Sequence, residues 1–366
     1  MSDRQFNKSR LELARLRRHY TKKALAEAVG LSVRSLTNFE SERCDDVPSE
    51  QTLTNLAQEL NFPVEFFFGE ELEVPTADNA SFRSFSRLTS AQRNSALAAG
   101  AVAFLFNDWL EERFNLPQFS VPDLSGFGPE EAAEILRSEW GIGDRPISNM
   151  VHLLESKGVR VFSLIQDTKE VNAFCCWKGG RLPFVFLNTY KSAESSRFDA
   201  AHELGHLVLH RHGDNKGKAI EHEANSFASA FLMPSQSVIR NASRVSTVDA
   251  IVKAKKYWGV SAMALAYRLN RLNLVSDWVY RSLCVEMSKM NMRVHEPESI
   301  ERERSQILSK ILDILRKREI GVGAISRHLQ VSVDDLSSLL FGLATVSISG
   351  GSRATAKSSA SLQLVK

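Results

Sequence analysis

The pentad His202-Glu203-Leu204-Gly205-His206 constrains this 366-residue chain more than any other stretch. Residues four apart on an α-helix lie one turn apart on the same face, so both imidazoles can point at one ion only if the segment is helical. Glu203 lies beside them and can reach a metal-bound water as general base. Chance alone writes such a pentad about once in a hundred chains of this composition, so the neighbouring residues must decide. Ser196 with Asp199 reads as a capping box opening the helix, and Gly213 as its end. Phe198, Ala201, Gly205 and Val208 make a packed back. His210 lies about 12 Å along the axis from His202, at 1.5 Å per residue, and cannot share the ion with both other histidines.

A third ligand must come from elsewhere. In the downstream helical run EHEANSFASAFLMP, Glu221 and Asn225 are four apart and share a face, while Glu223 points about 200° away from Glu221. Glu221 is therefore the preferred third ligand and Glu223 the lesser alternative. Asn225, one turn on, can hydrogen-bond a ligating histidine, which is the support such sites need. The chemistry fits Zn2+. A purely structural zinc site would be closed by a fourth protein ligand and would have no use for Glu203. Tyr190, His210 and His212 are the candidates near the motif for stabilising an oxyanion.

A formal net charge of +3 hides an uneven spread: the first 43 residues hold ten Lys/Arg against five acids, and the next 32 hold eight acids and no Lys or Arg. The basic piece contains TKKALAEAVGLSVRSLTNFE, two helical stretches broken at Gly30 with Ser32 as N-cap of the second. Ala26 is the small residue where two such helices cross, and Arg34, Ser35, Thr37 and Asn38 face outward. In the preceding helix Leu13 and Leu16 turn inward, with Arg10, Arg17 and Arg18 outward. Backbone contacts to DNA are expected from Arg17, Lys22 and Lys23, and base contacts from Arg34 and Asn38, with Ser35 beside them on the DNA-facing side. The bland reading is a helical bundle that docks protein.

The remaining chain reads as mainly α with a small β-sheet, an α+β fold. RLTSAQRNSALAAGAVAFLFNDWLEERF is one long helix, and EEAAEILRSEWGI another. GVRVFSLIQDTKEVNAFCCWKGGRLPFVFLN switches to short β-branched and aromatic runs around KGGR, as in a hairpin or small sheet. An extended substrate could pair with the edge of Phe184 to Asn188; a core strand with Phe184 and Phe186 buried is the competing reading. Near the C-terminus, GVGAISRHLQVSVDDLSSLLFG repeats the helix-turn-helix rhythm, with Gly321 or Gly323 in a turn, Ser332 as a cap, and exposed Asp334 and Asp335. These acids would repel phosphate, which favours docking or sensing over a second DNA reader. No fixed-period repeat runs through the chain. The resulting boundaries are 1–74 for the helix-turn-helix unit, 75–125 for linker and long helix, 126–285 for the metal-binding unit, 286–351 for a C-terminal helical unit, and 352–366 for a disordered tail.

The four cysteines form neither a disulfide framework nor a C-x-x-C clamp, the polar start lacks a signal peptide, and no apolar run reaches the roughly 20 residues of a membrane span. A cytoplasmic protein without a membrane partner is expected.

LAEAVGLSVRSLTNFE resembles the XRE family of DNA-binding domains, with two departures: Lys22 stands where a DNA-contacting glutamine is usual, and Glu42 where glycine is frequent. SRFDAAHELGHLVLH, followed by Glu221, Ala224-Asn225, Phe227-Ala228 and Leu232-Met233-Pro234, resembles the ImmA/IrrE metallopeptidases with a gluzincin-like site. The order of elements resembles regulators in which the two are fused. This resemblance implies zinc on His202, His206 and Glu221, Glu203 as the catalytic residue, and a protein substrate, commonly an XRE-type repressor or a partner encoded nearby. It leaves room for a homodimer. The rival reading is a DNA-binding regulator or antitoxin-like protein whose zinc site is structural or sensory.

Overall fold

Polar side chains set where the first helices begin. Asn7 caps α1 (Lys8–Arg17), Thr21 caps α2 (Lys22–Ala28), Ser32 caps α3 (Val33–Phe39) and Ser49 caps α4 (Glu50–Leu60), each accepting a backbone N–H of the first turn. Gly30, at φ 70°, turns the chain between α2 and α3. Leu11, Ala26, Leu36, Leu56 and Phe66 close the core of this unit. The structure is a computed structural model describing residues 5–76, 89–164, 173–211, 217–242 and 244–345. The tail expected to be disordered, His212 and Gly213 lie outside the described residues.

None of the three arginines expected to face outward does so freely: Arg18 lies over the Phe62 ring and pairs with Asp335. Arg10 is 5% exposed, stacks over Phe66 and donates to the carbonyls of Phe66 and Glu70. Arg17 faces α5 (Ser90–Glu111) and the C-terminal unit, with Nη1 donating to Ser95 Oγ. Helical periodicity separates the faces of α1 but cannot show that both are covered.

α5 starts at Thr89 with a capping box and is buried along most of its length, from Ser95 to Leu110. It packs on α1 and on one face of a three-stranded sheet, through Phe104 against Phe184 at 4.5 Å between ring centres. The strands are β1 (Arg160–Ser163), β2 (Phe174–Lys178) and β3 (Leu182–Leu187), in the order β1-β3-β2. β1 runs parallel to β3 and β2 antiparallel, so Phe162, Phe186 and Phe174 lie side by side across the sheet. Those rings join the core shared with α5, whereas Val161, Cys175, Val185 and Leu187 point to the opposite core. β3 is the central strand, paired on both sides, and Phe184 and Phe186 are fully buried. The edge pairing considered for Phe184 to Asn188 is therefore excluded by strand order, and the core reading holds.

On the aliphatic side of the sheet lie α6 (Pro129–Glu139), α7 (Met150–Ser156), α8 (Ala193–Leu209) and α9 (Lys218–Leu232), followed by α10 (Ser235–Ala242), α11 (Val248–Lys255), α12 (Ala262–Arg271) and α13 (Asp277–Lys289). The segment after α13 is stitched to α8: Glu194 accepts from Ser299 and from the Ile300 N–H, and Arg197 pairs with Glu303. No helix among the described residues is long and apolar enough to cross a membrane, and all four cysteines are free thiols.

The last described helices are α14 (Gln306–Lys317), α15 (Val322–Leu329) and α16 (Val333–Leu340). α16 packs on α5 and on β1. Asp335, expected to be exposed, is 2% exposed: its carboxylate takes Arg18 Nη1 at 2.9 Å and Nη2 at 2.7 Å, and Arg17 Nε at 2.9 Å. The C-terminal unit thus docks on the N-terminal one.

Candidate metal centre

The residues expected to bind a metal sit where α8 and α9 cross. α8 begins one turn earlier than the sequence suggested, with Ser192 accepting the Ser195 N–H, so Ser196 lies inside the helix. Successive serines offer equivalent caps, and the covered start of the helix selects the first. At the crossing, a Cβ on Gly205 would stand 3.0 Å from Phe227 Cδ1 and 3.3 Å from the Ala224 backbone. Glycine here lets α9 approach closely enough to bring Glu221 against both histidines.

One ligand atom from each of His202, His206 and Glu221 lies within 4.8 Å of the others. The two Nε2 atoms face each other at 3.1 Å. Glu221 Oε2 lies 3.3 Å from His202 Nε2, and Oε1 lies 3.5 Å from His206 Nε2. Tetrahedral zinc with bonds of about 2.0–2.1 Å holds its ligand atoms about 3.3 Å apart. Two imidazoles and one carboxylate converging at that spacing fit zinc, and among the described residues the group holds three protein ligands.

Electrostatics support the arrangement. Burial alone would raise the Glu221 carboxyl, but hydrogen bonds and charge from His202 and His206 bring it down to about 2. Burial would lower His202; Glu221, Glu203 and Asp199 outweigh it and raise the imidazole above its ordinary value. A set of groups that prefers one extra positive charge in its midst is suited to a cation.

Glu203 follows His202 on α8 and is 2% exposed. Asn225, on the same face of α9 as Glu221, has Oδ1 at 3.1 Å from His202 Nδ1, leaving Nε2 for the ion. His206 is backed differently: its Nδ1 faces His210 Nδ1 at 3.1 Å, and His210 Nε2 faces Glu223 Oε2 at 2.9 Å. His210 therefore lies outside the ligand group, and Glu223 leaves the ligand role to Glu221. Their shared contact was missed in the sequence, although His206 and His210 are one turn apart, the same signal that pairs His202 with His206.

Next to the centre, a cavity of about 540 Å3 is lined by Tyr190, Ser195, Phe198 and Asp199 on one side and by Ser261 and Arg293 on the other. Lys191 pairs there with Asp199 at 2.5 Å. Tyr190, considered for oxyanion stabilisation, is half exposed and packs against Phe341 just past α16, with ring centres 5.5 Å apart.

Of the residues expected at DNA, Lys23 and Arg34 are exposed. Lys22 reaches Glu40 at 3.2 Å. Ser35 Oγ lies 2.8 Å from Ser32 Oγ, and Asn38 Nδ2 donates to Asp46 at 2.6 Å. Arg17 is taken up by Asp335 and Ser95. α3 is held from behind by a buried fork, Arg15 to both oxygens of Glu40 at 2.6 and 2.8 Å.

A family model described as the IrrE N-terminal-like domain matches residues 154–270, and one described as helix-turn-helix matches residues 11–67. No curated protein sequence matches the chain at a significant level.

Proposed function

We propose, from the premise that this chain joins an XRE-type helix-turn-helix segment to an IrrE/ImmA-like peptidase domain, that it is a zinc-dependent endopeptidase in transcriptional control. It binds DNA through its N-terminal helix-turn-helix, within residues 1–74, and cuts a protein partner of the XRE-repressor class. The observation that carries this reading is the convergence of His202, His206 and Glu221 with Glu203 on the next position of the same helix.

Zinc supplies Lewis acidity at a water and at the scissile carbonyl. The chain supplies the rest. His202 and His206 present Nε2, with their Nδ1 atoms engaged by Asn225 and His210. Glu203 takes the proton of the attacking water and passes it to the leaving amine. Burial of Glu203 and His206 excludes bulk water from that transfer. The cavity lined by Ser195, Phe198 and Asp199 of α8, one turn before His202, is where the residues flanking the cut would lie.

Incubating zinc-loaded protein with XRE-type repressors of its own genome tests this directly. Cleavage should fall about 100- to 10,000-fold in Glu203→Gln, the range of a general base, with zinc content unchanged. Equal cleavage by both proteins, or intact candidates with both, would sink the peptidase assignment and leave a metal-dependent regulator.

A further inference from the structure

The two ligating histidines are supported by different groups. His202 Nδ1 meets the side-chain oxygen of Asn225, a neutral acceptor. His206 Nδ1 meets a second imidazole, 8% exposed, which in turn meets a carboxylate. Nothing in the ligand set itself calls for His210 or Glu223.

The protons on this line can be assigned from the geometry. His206 Nε2 faces His202 Nε2 and Glu221, so it is the atom that must carry a lone pair for an ion. A neutral imidazole then has its hydrogen on Nδ1. Two Nδ1 atoms 3.1 Å apart need one donor and one acceptor, so His210 Nδ1 accepts. His210 consequently carries its hydrogen on Nε2, 2.9 Å from Glu223 Oε2, and a carboxylate can only accept. Each link fixes the next. Reversing the line would put a hydrogen on His206 Nε2 and close it to a metal.

We infer that His210 and Glu223 form a relay that holds His206 in its ligating tautomer and orientation, so that both act as positioning residues for zinc. The inference rests on the zinc reading of the site but not on proteolysis. It also gives Glu223 a role from the side of α9 opposite Glu221: one acid binds the ion, and the other aligns a ligand from behind. Because Glu223 is half exposed (48%), the relay runs from the buried ligand to the surface.

Zinc affinity of the full chain, measured by competition with a chromophoric chelator, tests the relay without any substrate. His210→Phe keeps a ring of similar size and removes the acceptor; affinity should drop roughly 10- to 100-fold. His210→Gln can accept through its amide oxygen and should recover part of the loss. Glu223→Gln keeps an acceptor without its charge and should show a smaller fall. In zinc-loaded, 15N-labelled protein, His206 should be protonated at Nδ1. Affinity within twofold of wild type in His210→Phe, or a His206 protonated at Nε2, overturns the relay. Should His210→Phe not fold, unchanged affinity in Glu223→Ala does the same. Wild-type protein that binds no zinc would instead remove the zinc reading on which the relay stands.

Discussion

The first and last folded units of this chain share one backbone plan and use it in opposite directions. Equivalent positions lie 300 apart: Leu11 and Ile311, Leu25 and Ile325, Ser32 and Ser332, Leu36 and Leu336. His19 and Glu319 both take φ near 60° after the first helix, and Gly30 and Gln330 do so between the second and third. The turn bonds match as well, with Leu31 N to Ala26 O at 2.8 Å and Val331 N to Ser326 O at 3.1 Å. Ser32 and Ser332 both accept the N–H three residues on. The third helices then part. α3 leaves Val33, Arg34 and Thr37 exposed. α16 turns inward, burying Asp335, Leu339 and Leu340 against α5, β1 and α1. A helix-turn-helix core fixes how its third helix is held; the few residues on the outer face determine whether that helix reads a groove or becomes a joint.

That joint touches both working parts of the molecule. At its start, Asp335 takes Arg17 and Arg18, and Asn61 donates to Asp334 at 3.2 Å. Just past its end, Phe341 packs against Tyr190, shortly before the start of α8. Burial alone would raise the Asp335 carboxyl, yet Arg18 and Arg17 with the Ser332 hydroxyl hold it below the usual carboxylate range. A depressed folded-state pKa means that this contribution is present above the unfolded value, about 3.9, and is lost as the pH falls through the folded value.

The largest test of the contrast is a charge reversal at equivalent positions. Asp335→Lys places a third cation between Arg17 and Arg18 in a buried junction and should cost about 3–5 kcal/mol. It should also loosen the C-terminal unit, read as faster amide exchange in α14 to α16. Ser35→Lys, on the open helix, should stay within about 0.5 kcal/mol. Equal costs in chemical denaturation would mean the two third helices are not used differently.

Next in size is the outward face. Arg34→Ala should weaken binding to the operator by about 1–3 kcal/mol, roughly 5- to 150-fold, if that side chain reads a base edge. Asp334→Ala, its counterpart 300 residues on, should leave DNA affinity unchanged. Fluorescence anisotropy at fixed salt measures both, since phosphate contacts vary steeply with ionic strength. A loss with Asp334→Ala equal to that with Arg34→Ala would place the second unit on DNA too.

Much of the candidate metal centre is legible in the sequence because its signals are local. One-turn spacing links His202 to His206 and Glu221 to Asn225, and a helix carries that spacing into space unchanged. What could not be read depends on partners far along the chain. Arg17 was placed outward because nothing in α1 announces Asp335, more than three hundred residues away. β3 was offered as an edge because strand order is a property of the sheet, not of a strand. The helix-turn-helix rhythm of the C-terminal unit is legible in its serine cap and apolar positions, but its position-by-position match to the first unit is not, because a pattern of leucines, isoleucines and serines is common to many helices. The distance from His202 takes His210 out of the ligand set, but its informative neighbour is His206, one turn away.

The smallest test concerns the two turns. Gly30 sits at φ 70°, where an added Cβ would meet nothing within 4 Å, so any cost of replacing it comes from the backbone alone. A residue with a Cβ in this region is strained by about 1–2 kcal/mol relative to glycine, partly offset by the lower entropy of the unfolded chain. Gly30→Gln should therefore lower stability by about 1 kcal/mol, while Gln330→Gly, relieving φ 58° at the matching turn, should change it by a similar amount in the other direction. The pair is a swap within one chain, so solvent, length and fold are constant. If both substitutions destabilise, Gln330 is holding something beyond its own turn, and the plan shared by the two units would not extend to their crossing point.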